Sequence, residues 1–402
     1  MRRKIIEISL STIIAVFVVA IMVLVNIYYA SRGCLAFLGI FGLLWFIYVL
    51  ISGKGRVGKY IYKYNLLLFF AIISTLIHVI ILNFDFSVWQ LLRSQLWPFF
   101  GLLALPLTIR FIRNNEFWDE ILNFVSVYFI MMSILILFEL ILGYQVTPAY
   151  LRRDFDGLDR LYPIGKVAVV PFIPVFLKYD KQFALLAGFL ILGVTGGKSD
   201  FALILIVLMV YYMIHGFKYS DLFFFGFISI FMILYFQTSI TRFYVFFEQE
   251  EGFRRLLQVE EALKMWLSNI YTFLFGIGYG IPYGEGYFGL IKGDLDSDYY
   301  ALYQNSMYDV ENGFFFWLMR SGLIGFIFCL LIMNDVVKGS YKMYFYVIIA
   351  IYWLTTSGIG PNGLIFFVSL GAASELYNRT DIYDRFHCSE SLRLRRGVIS
   401  RS

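Results

Sequence analysis

Residues 8–29 read ISLSTIIAVFVVAIMVLVNIYY, an apolar run without a charged side chain. A helix of about 20 apolar residues crosses a hydrocarbon core of roughly 30 Å and makes all its backbone hydrogen bonds internally. The run is long and lacks a clear small-residue cleavage site, so it does not resemble a cleavable signal peptide. We therefore interpret it as a first transmembrane helix.

Similar runs recur along the whole chain. Of the 402 residues, 60% are hydrophobic and only 15% are charged, with a mean hydropathy of +0.74. These values exclude an ordinary soluble domain and predict an all-α polytopic integral membrane protein. About twelve transmembrane helices are expected, at residues 8–29, 35–52, 65–83, 96–112, 120–143, 164–177, 182–195, 200–214, 221–239, 313–333, 342–358 and 361–376.

The distribution of lysine and arginine predicts the orientation of these spans. The net charge is +5, and most of the basic residues fall in segments that lie in the cytoplasm if both termini do. This topology gives a membrane domain of spans 1 to 9 (1–239), a large external loop (240–312), spans 10 to 12 (313–376) and a cytoplasmic tail (377–402). The short spans 164–177 and 182–195 are either tilted partners or a re-entrant pair.

Cysteine and histidine are too scattered to form a recognisable site. The three cysteines predict no disulfide framework, and neither they nor the three histidines have the spacing of metal ligands. No metal or cofactor is expected, and the basic residues follow membrane topology rather than a nucleic-acid footprint. These residues are Cys34, Cys329, Cys388, His78, His215 and His387.

Polar chemistry collects in the two external loops. The smaller loop, 144–164, contains Arg152, Arg153 and Arg160, which oppose the orientation rule and so need another reason to be there. In the larger loop, apolar residues at helical spacing from Arg254 to Ile270 predict an amphipathic helix at the membrane surface.

Arg254 and Arg255 lie at the N-terminal end of this predicted helix. Guanidinium groups match phosphate oxygens bidentately, and helix amides add a favourable field for an anion. The pair is therefore suited to a phosphate group. Lipid headgroups or the neighbouring glutamates are an equally good explanation of the same two residues.

Glycine and aromatic residues alternate after the helix, beginning with Phe275-Gly-Ile-Gly-Tyr-Gly280. Glycines allow close backbone approach to a ligand, and the rings of Tyr279 and Tyr283 could stack on sugars. No βαβ unit surrounds the glycines, so they are not a dinucleotide signature. Lys198, in Thr195-Gly-Gly-Lys-Ser-Asp200, lies in an external turn without the strand and first glycine of a nucleotide-binding loop.

Several of these motifs together resemble the O-antigen polymerase and ligase superfamily of bacterial envelopes. The resemblance lies in Arg254 through Phe275-Gly-Ile-Gly-Tyr-Gly280, then Glu311-Asn-Gly-Phe, then Arg320-Ser-Gly-Leu-Ile-Gly325, with Thr195-Gly-Gly-Lys-Ser199 as a small-residue turn. It covers the whole topology and is most specific between residues 195 and 325. The ligase branch carries a histidine where this chain has Glu311, which favours a polymerase.

The resemblance implies a metal-independent glycosyltransferase at the outer face of the bacterial inner membrane. Its substrate would be an undecaprenyl-diphosphate-linked oligosaccharide, its product a polysaccharide such as O-antigen or capsule, and its candidate protein partners a chain-length regulator and a flippase. The implied diphosphate ligands are Arg254 or Arg255 and one of Arg152, Arg153 and Arg160.

Glu311 or Asp309 is the candidate base for the attacking hydroxyl. Asp309 or Asn312 is equally suited to cap the following helix. The further candidates for substrate binding are Lys198, Tyr279, Tyr283 and Asn312. The alternative functions are a ligase that moves finished glycan to another acceptor and a flippase of lipid-linked oligosaccharide.

Overall fold

Within the residues that it describes, the computed structural model contains twelve α-helices of six residues or more, four short helical segments and one hairpin. The short segments are a π-helix at Ile77–Ile81, an α-helical turn at Val88–Gln90, a π-helix at Leu91–Gln95 and a 3-10 turn at Lys166–Ala168. The described residues are 9–52, 58–115, 118–142, 147, 149–153, 159–163, 165–194, 198–216, 226, 251–282, 312–337, 342–355 and 362–378. The helices are α1 (Leu10–Ser52), α2 (Gly58–Leu76), α3 (Trp97–Asn115), α4 (Trp118–Leu142), α5 (Val169–Lys178), α6 (Gln182–Val194), α7 (Lys198–His215), α8 (Glu251–Trp266), α9 (Ile270–Phe275), α10 (Gly313–Val336), α11 (Lys342–Thr355) and α12 (362–378). The strands are β1 (Ala149–Arg153) and β2 (Asp159–Pro163).

The helices confirm a multi-pass membrane protein. Four stretches are long and apolar enough to cross a bilayer, and several shorter apolar helices accompany them. The four are Leu10–Tyr28, Ile61–Ile81, Trp118–Glu139 and Gly313–Val336. Residues 221–239, apart from Gly226, lie outside the described residues, so the count of twelve spans stays a prediction.

Helix α1 contains the first two predicted spans. Its backbone is helical from Leu10 to Ser52, yet Sγ of Cys34 lies 3.0 Å from the carbonyl oxygen of Met22. A straight helix rises 1.5 Å per residue and would separate these two residues by about 18 Å. The chain therefore doubles back between them, and the two halves of α1 form the antiparallel pair that the sequence predicts.

The two short predicted spans are separate helices. Helices α5 and α6 are joined by a turn in which Asp180 has a φ of 53°. They contain 10 and 13 residues, which corresponds to lengths of about 15 and 20 Å. Every residue from Val169 to Phe176 is buried, so α5 is an interior helix of the bundle.

One end of the bundle joins segments that the predicted topology assigns to the cytoplasm. Lys63 forms an ion pair with Asp335, linking α2 to α10. Arg113 on α3 donates two hydrogen bonds to Glu375 on α12, at 2.8 and 3.2 Å. The same end carries the hydrogen bonds from Lys178 Nζ to the Tyr377 carbonyl (2.7 Å) and between His215 Nε2 and the Tyr377 hydroxyl (3.1 Å). Each contact joins helix ends that the predicted topology places on the cytoplasmic side of the membrane.

The opposite end carries the smaller loop, whose hairpin is the one strand pair in the described part of an otherwise all-α protein. Strands β1 and β2 pair antiparallel, with Arg152 opposite Arg160 and Arg153 opposite Asp159. The loop is tied to α1 by a hydrogen bond of 3.2 Å from Asn26 Nδ2 to the carbonyl of Thr147. The hairpin therefore lies at the end of the bundle that the topology predicts to face outward.

Candidate functional site

The predicted amphipathic helix is present and packs against α10. Helix α8 begins at Glu251 and ends at Trp266, three residues before the capping residue of α9. The buried side chain of Ala262 joins Ile277 and Met319 in one apolar cluster. Leu267 and Ile270, which the sequence places on the buried stripe, are instead exposed because the helix ends before them. The helix is thus an integral part of the site rather than a free surface helix.

The start of α8 holds two of the predicted catalytic residues. Arg254 and Arg255 are the fourth and fifth residues of the helix, counted from Glu251. Only their backbone positions are described. Further along, hydrogen bonds from Lys264 to Glu260 and Glu261, both at 2.9 Å, raise the pKa of Lys264 to about 12. The acidic residues next to Lys264 are thereby occupied within the helix.

The glycine motif forms an extended segment, Gly276–Pro282, that enters the bundle between α2 and α10. The amide of Ile277 donates to the carbonyl of Met319 (2.8 Å), and the amide of Gly278 donates to the carbonyl of Arg320 (3.1 Å). On the other side, Ser74 Oγ donates to the carbonyl of Gly276 (2.6 Å). Non-helical backbone at this depth is tolerated because its polar groups are paired inside the protein.

The depth of the inserted segment follows from the helices that it contacts. Met319 is six residues after Gly313, where α10 begins, and a rise of 1.5 Å per residue puts it about 9 Å below the helix end. Thr75 Oγ1 accepts a hydrogen bond of 2.8 Å from the Tyr279 amide. Thr75 is six residues before Ile81, where its span ends, so it lies about as far from its helix end as Met319 does from the start of α10. The inserted segment, Gly276–Pro282, therefore reaches well below the helix ends.

A break in α10 makes room for this segment. Gly322 has φ 64° and ψ −174°, which interrupts the helix and frees carbonyls in the preceding turn. A Cβ on Gly322 would lie 2.4 Å from the amide nitrogen of Gly276, and one on Gly276 would lie 2.5 Å from the carbonyl of Arg320. These glycines are required for protein backbones to approach each other. From the sequence, the same glycines were expected to allow close approach to a ligand.

Arg320 fixes the far end of the inserted segment. Its side chain is fully buried, and Nη1 donates to the carbonyls of Gly278 (2.9 Å) and Ile281 (2.6 Å). Charged donors form stronger hydrogen bonds than neutral ones, so this contact rigidifies the segment. Gln95 adds a further anchor, since its Oε1 accepts a hydrogen bond of 2.6 Å from the Gly280 amide. Neither Arg320 nor Gln95 was among the site residues predicted from the sequence.

Tyr279 lies in the core rather than in an open groove. Only 3% of the residue is exposed, and its ring packs edge-on against Phe99 and Phe316. Its hydroxyl hydrogen-bonds to Ser321 Oγ at 2.5 Å, next to the break in α10. In this conformation Tyr279 supports the inserted segment and presents no face to a sugar.

Asn312 is the N-cap of α10. Its side-chain oxygen accepts hydrogen bonds from the amides of Phe314 (3.0 Å) and Phe315 (3.2 Å), which confirms the capping interpretation for this residue. The other candidates from this part of the loop, Asp309, Glu311 and Tyr283, lie outside the described residues. Lys198 is the first residue of α7, and its side chain is also outside them.

The scattered histidines predicted no site, but His78 lies buried in a π-helical turn, Ile77–Ile81. Its Nδ1 is 2.9 Å from the carbonyl of Ser74. Ser74, one turn away along the helix, is the residue whose hydroxyl contacts Gly276. Within the described part of the chain, Nε2 of His78 has no hydrogen-bond partner. The π-helix, a rare element often found at functional sites, is the structural signal that the sequence did not provide.

The arginines of the smaller loop are brought together by the register of the hairpin. Directly opposite residues of an antiparallel pair have Cβ atoms about 4.5 to 5.5 Å apart, and like charges at such positions are destabilising. Arg152 and Arg160 occupy such a pair, whereas Arg153 faces Asp159. An anion bound between Arg152 and Arg160 would offset their repulsion.

Comparisons with known proteins returned no match: no family model, curated protein or solved structure is similar to this chain. Within the described ranges, no three His, Cys, Asp or Glu side chains lie close enough together to hold a metal ion.

Proposed function

We propose that this chain is a polysaccharide repeat-unit polymerase of a bacterial inner membrane, with both termini in the cytoplasm. It transfers a growing glycan from undecaprenyl diphosphate to the next lipid-linked repeat unit at the outer face. The observation that carries the proposal is the pairing of Arg152 with Arg160 on a hairpin at the predicted outer end of the bundle. A diphosphate is the part of such a substrate that two neighbouring guanidinium groups recognise.

The proposed reaction is a single displacement at the anomeric carbon. A hydroxyl oxygen of the acceptor sugar forms a bond to that carbon, while the bond from the carbon to the diphosphate oxygen breaks. The electron pair leaves with the diphosphate, whose growing negative charge is stabilised by arginines positioned in advance. The proton of the attacking hydroxyl passes to a carboxylate, for which Glu311 is the candidate.

The inserted segment supports this proposal by anchoring the large loop at two nearby points. Ile281 is held by Arg320, and the loop returns to the bundle at Asn312, the cap of the same helix. Arg320 is eight residues after Asn312, which corresponds to about 12 Å along α10. The described residues that flank 283–311, the segment with Glu311 and Asp309, are therefore both attached to the first half of α10.

Arg254 and Arg255 are expected to contribute a second part of the diphosphate site. A hydrogen bond to a charged group contributes roughly 1.5 to 3 kcal/mol, so its loss lowers turnover about tenfold or more. We expect the double alanine variant to lose at least that much activity, and the double lysine variant to recover part of it, because an ammonium cannot form a planar fork. The assay is polymer formation in membranes with matched protein levels. Wild-type turnover by the double alanine variant would remove both arginines from the site.

Glu311→Gln separates a base from a structural residue, because glutamine keeps the shape and hydrogen bonding of glutamate but cannot accept the proton. If Glu311 accepts the hydroxyl proton, turnover falls while lipid-linked substrate still binds. The acidic limb of the wild-type pH–rate profile should disappear in the variant. Asn312→Gln is the matched control for damage to the start of α10. An unchanged rate and profile for Glu311→Gln would leave the arginines as the main catalytic groups.

A further inference from the structure

An apolar cavity of about 450 Å³ lies between α1, α3, α4, α5 and α12. Its volume falls within the roughly 300 to 1,000 Å³ of small-molecule sites. Apolar and aromatic side chains dominate its walls, among them Val18, Phe41, Phe124 and Phe172. Of the described residues that line it, Glu120 is the single charged one. The cavity is therefore suited to hydrocarbon and unsuited to an anionic group.

The exposed lining residues on the two halves of α1 mark a mouth of the cavity. Ile14, Phe41 and Tyr48 line it and are 44%, 43% and 52% exposed. All three belong to predicted membrane-spanning stretches, so the medium at the mouth is the lipid hydrocarbon. A chain can enter from the bilayer without passing through water.

The cavity wall reaches the chain segment that follows the arginine hairpin. Gly165, two residues after the end of β2, is part of the cavity wall, and its φ of 82° turns the chain from the hairpin into the bundle. The loop of the hairpin is also bonded to Asn26 of α1, the helix that lines the cavity with Val18 and Ser11. At 1.5 Å per residue, Val18 lies about 12 Å and Ser11 about 22 Å from Asn26 along the helix.

We propose that this cavity binds the distal part of the polyprenyl chain whose diphosphate lies at Arg152 and Arg160. The inference rests on the proposed function for the identity of the head group and adds the site of the lipid chain. The substrate is thereby recognised at two places, by charge at the hairpin and by hydrocarbon within the bundle.

The dimensions and charges favour this occupant over an ordinary phospholipid. An acyl chain of the outer leaflet ends near the midplane, about 15 Å down, whereas the cavity extends to Ser11 at about 22 Å. A phospholipid of the inner leaflet would bring its phosphate towards Glu120, where the described lining offers no lysine or arginine. A long polyprenyl chain from the outer face brings only its uncharged end.

Photolabelling of the purified full-length protein in lipid nanodiscs tests the proposal. The probe is undecaprenyl phosphate with a diazirine on its terminal isoprene unit, and mass spectrometry locates the labelled residues. Labels are expected on the cavity walls. A misfit in an apolar pocket changes binding about tenfold or more, so Ile14→Trp and Ile121→Trp should lower cavity labelling by that factor. Ile13 and Ile134 are exposed on the same two helices and do not line the cavity, so their tryptophan variants serve as matched controls.

Three results would overturn the proposal. Labels spread over the outer surface and unaffected by the cavity variants would remove the site. Equal labelling of the cavity by a phospholipid with a diazirine at its chain end, in the presence of excess probe, would assign the site to bulk lipid. An unlabelled cavity would mean that no polyprenyl chain enters it.

Polymer formation, measured on the same preparations, separates this proposal from the proposed function. Cavity labelling by a protein that makes no polymer rejects the polymerase and retains the lipid site. Polymer formation without cavity labelling rejects the lipid site alone.

Discussion

Gly322→Ala is expected to leave little folded protein in the membrane. The backbone of Gly322, with φ 64° and ψ −174°, lies in a region that is essentially restricted to glycine and costs an alanine about 1 to 3 kcal/mol, and overpacking adds about 1 to 3 kcal/mol. The added Cβ would lie 2.4 Å from the backbone of Leu274 and Gly276, which cannot move aside as a flexible side chain would. The measurement is the amount of monodisperse protein after detergent extraction and its melting temperature.

Gly226→Ala is the matched control for this variant. Among the described residues, a Cβ at Gly226 meets no atom within 4 Å, and its φ is not in the left-handed region, so this change should be nearly silent. Gly276→Ala should behave like Gly322→Ala, because the two glycines face each other across the same contact. Normal yield and melting temperature for Gly322→Ala would contradict the described insertion of Gly276–Pro282 into the bundle.

The double variant Arg152→Ala with Arg160→Ala is expected to lower polymer formation a hundredfold or more. Each hydrogen bond to a charged group contributes roughly 1.5 to 3 kcal/mol, and losing two corresponds to about 10² to 10⁴ in rate. Folding should not suffer, because removing two like charges that face each other relieves repulsion. The measurement is the initial rate of chain growth at matched protein level.

Arg153→Ala controls for the loss of an arginine from the same hairpin. Its register partner is Asp159, so it belongs to an internally matched pair, and a loss of less than about tenfold is expected. Replacing both Arg152 and Arg160 with lysine should restore part of the rate, since charge remains without the bidentate fork. Equal effects of Arg153→Ala and the double variant would mean that the register of the hairpin does not select the ligands.

Much of the membrane architecture can be predicted from the sequence, because hydropathy alone sets the length of a spanning helix. The observed bounds of α3, α4 and α10 differ from the predicted spans by a few residues. The doubling back of α1 near Cys34 is also confirmed. The ion pairs at one end join segments that the positive-inside rule had assigned to the same side.

The interior of the site could not be predicted, since it depends on contacts between distant segments. Nothing in Phe275-Gly-Ile-Gly-Tyr-Gly280 distinguishes backbone that approaches a ligand from backbone that approaches another helix. The partner of Gly276 is Gly322, which lies in an otherwise regular apolar helix pattern. Arg320 is a charged residue within a predicted span, and the hydrogen bonds that it donates to two carbonyls of the inserted segment account for its burial.

The hairpin had a sequence signal that we did not use. Asp156-Gly157 is a turn dipeptide, and it lies between the two segments that become β1 and β2. Recognising it would have predicted the hairpin but not its register, because a two-residue turn at Asp156-Gly157 pairs Arg153 with Arg160, whereas the observed register pairs Arg152 with Arg160. The three arginines were instead treated as interchangeable, because without a register nothing ranks them.

Chain growth by the purified protein tests the central claim most directly. The full-length chain is reconstituted in liposomes with one defined undecaprenyl-diphosphate-linked repeat unit, without nucleotide sugar or added metal, and the glycans are released and sized. We predict a ladder of products that differ by one repeat unit, and its loss in the Arg152 and Arg160 double variant. A folded, monodisperse protein that leaves every repeat unit single, or moves it only across the membrane, would contradict the account.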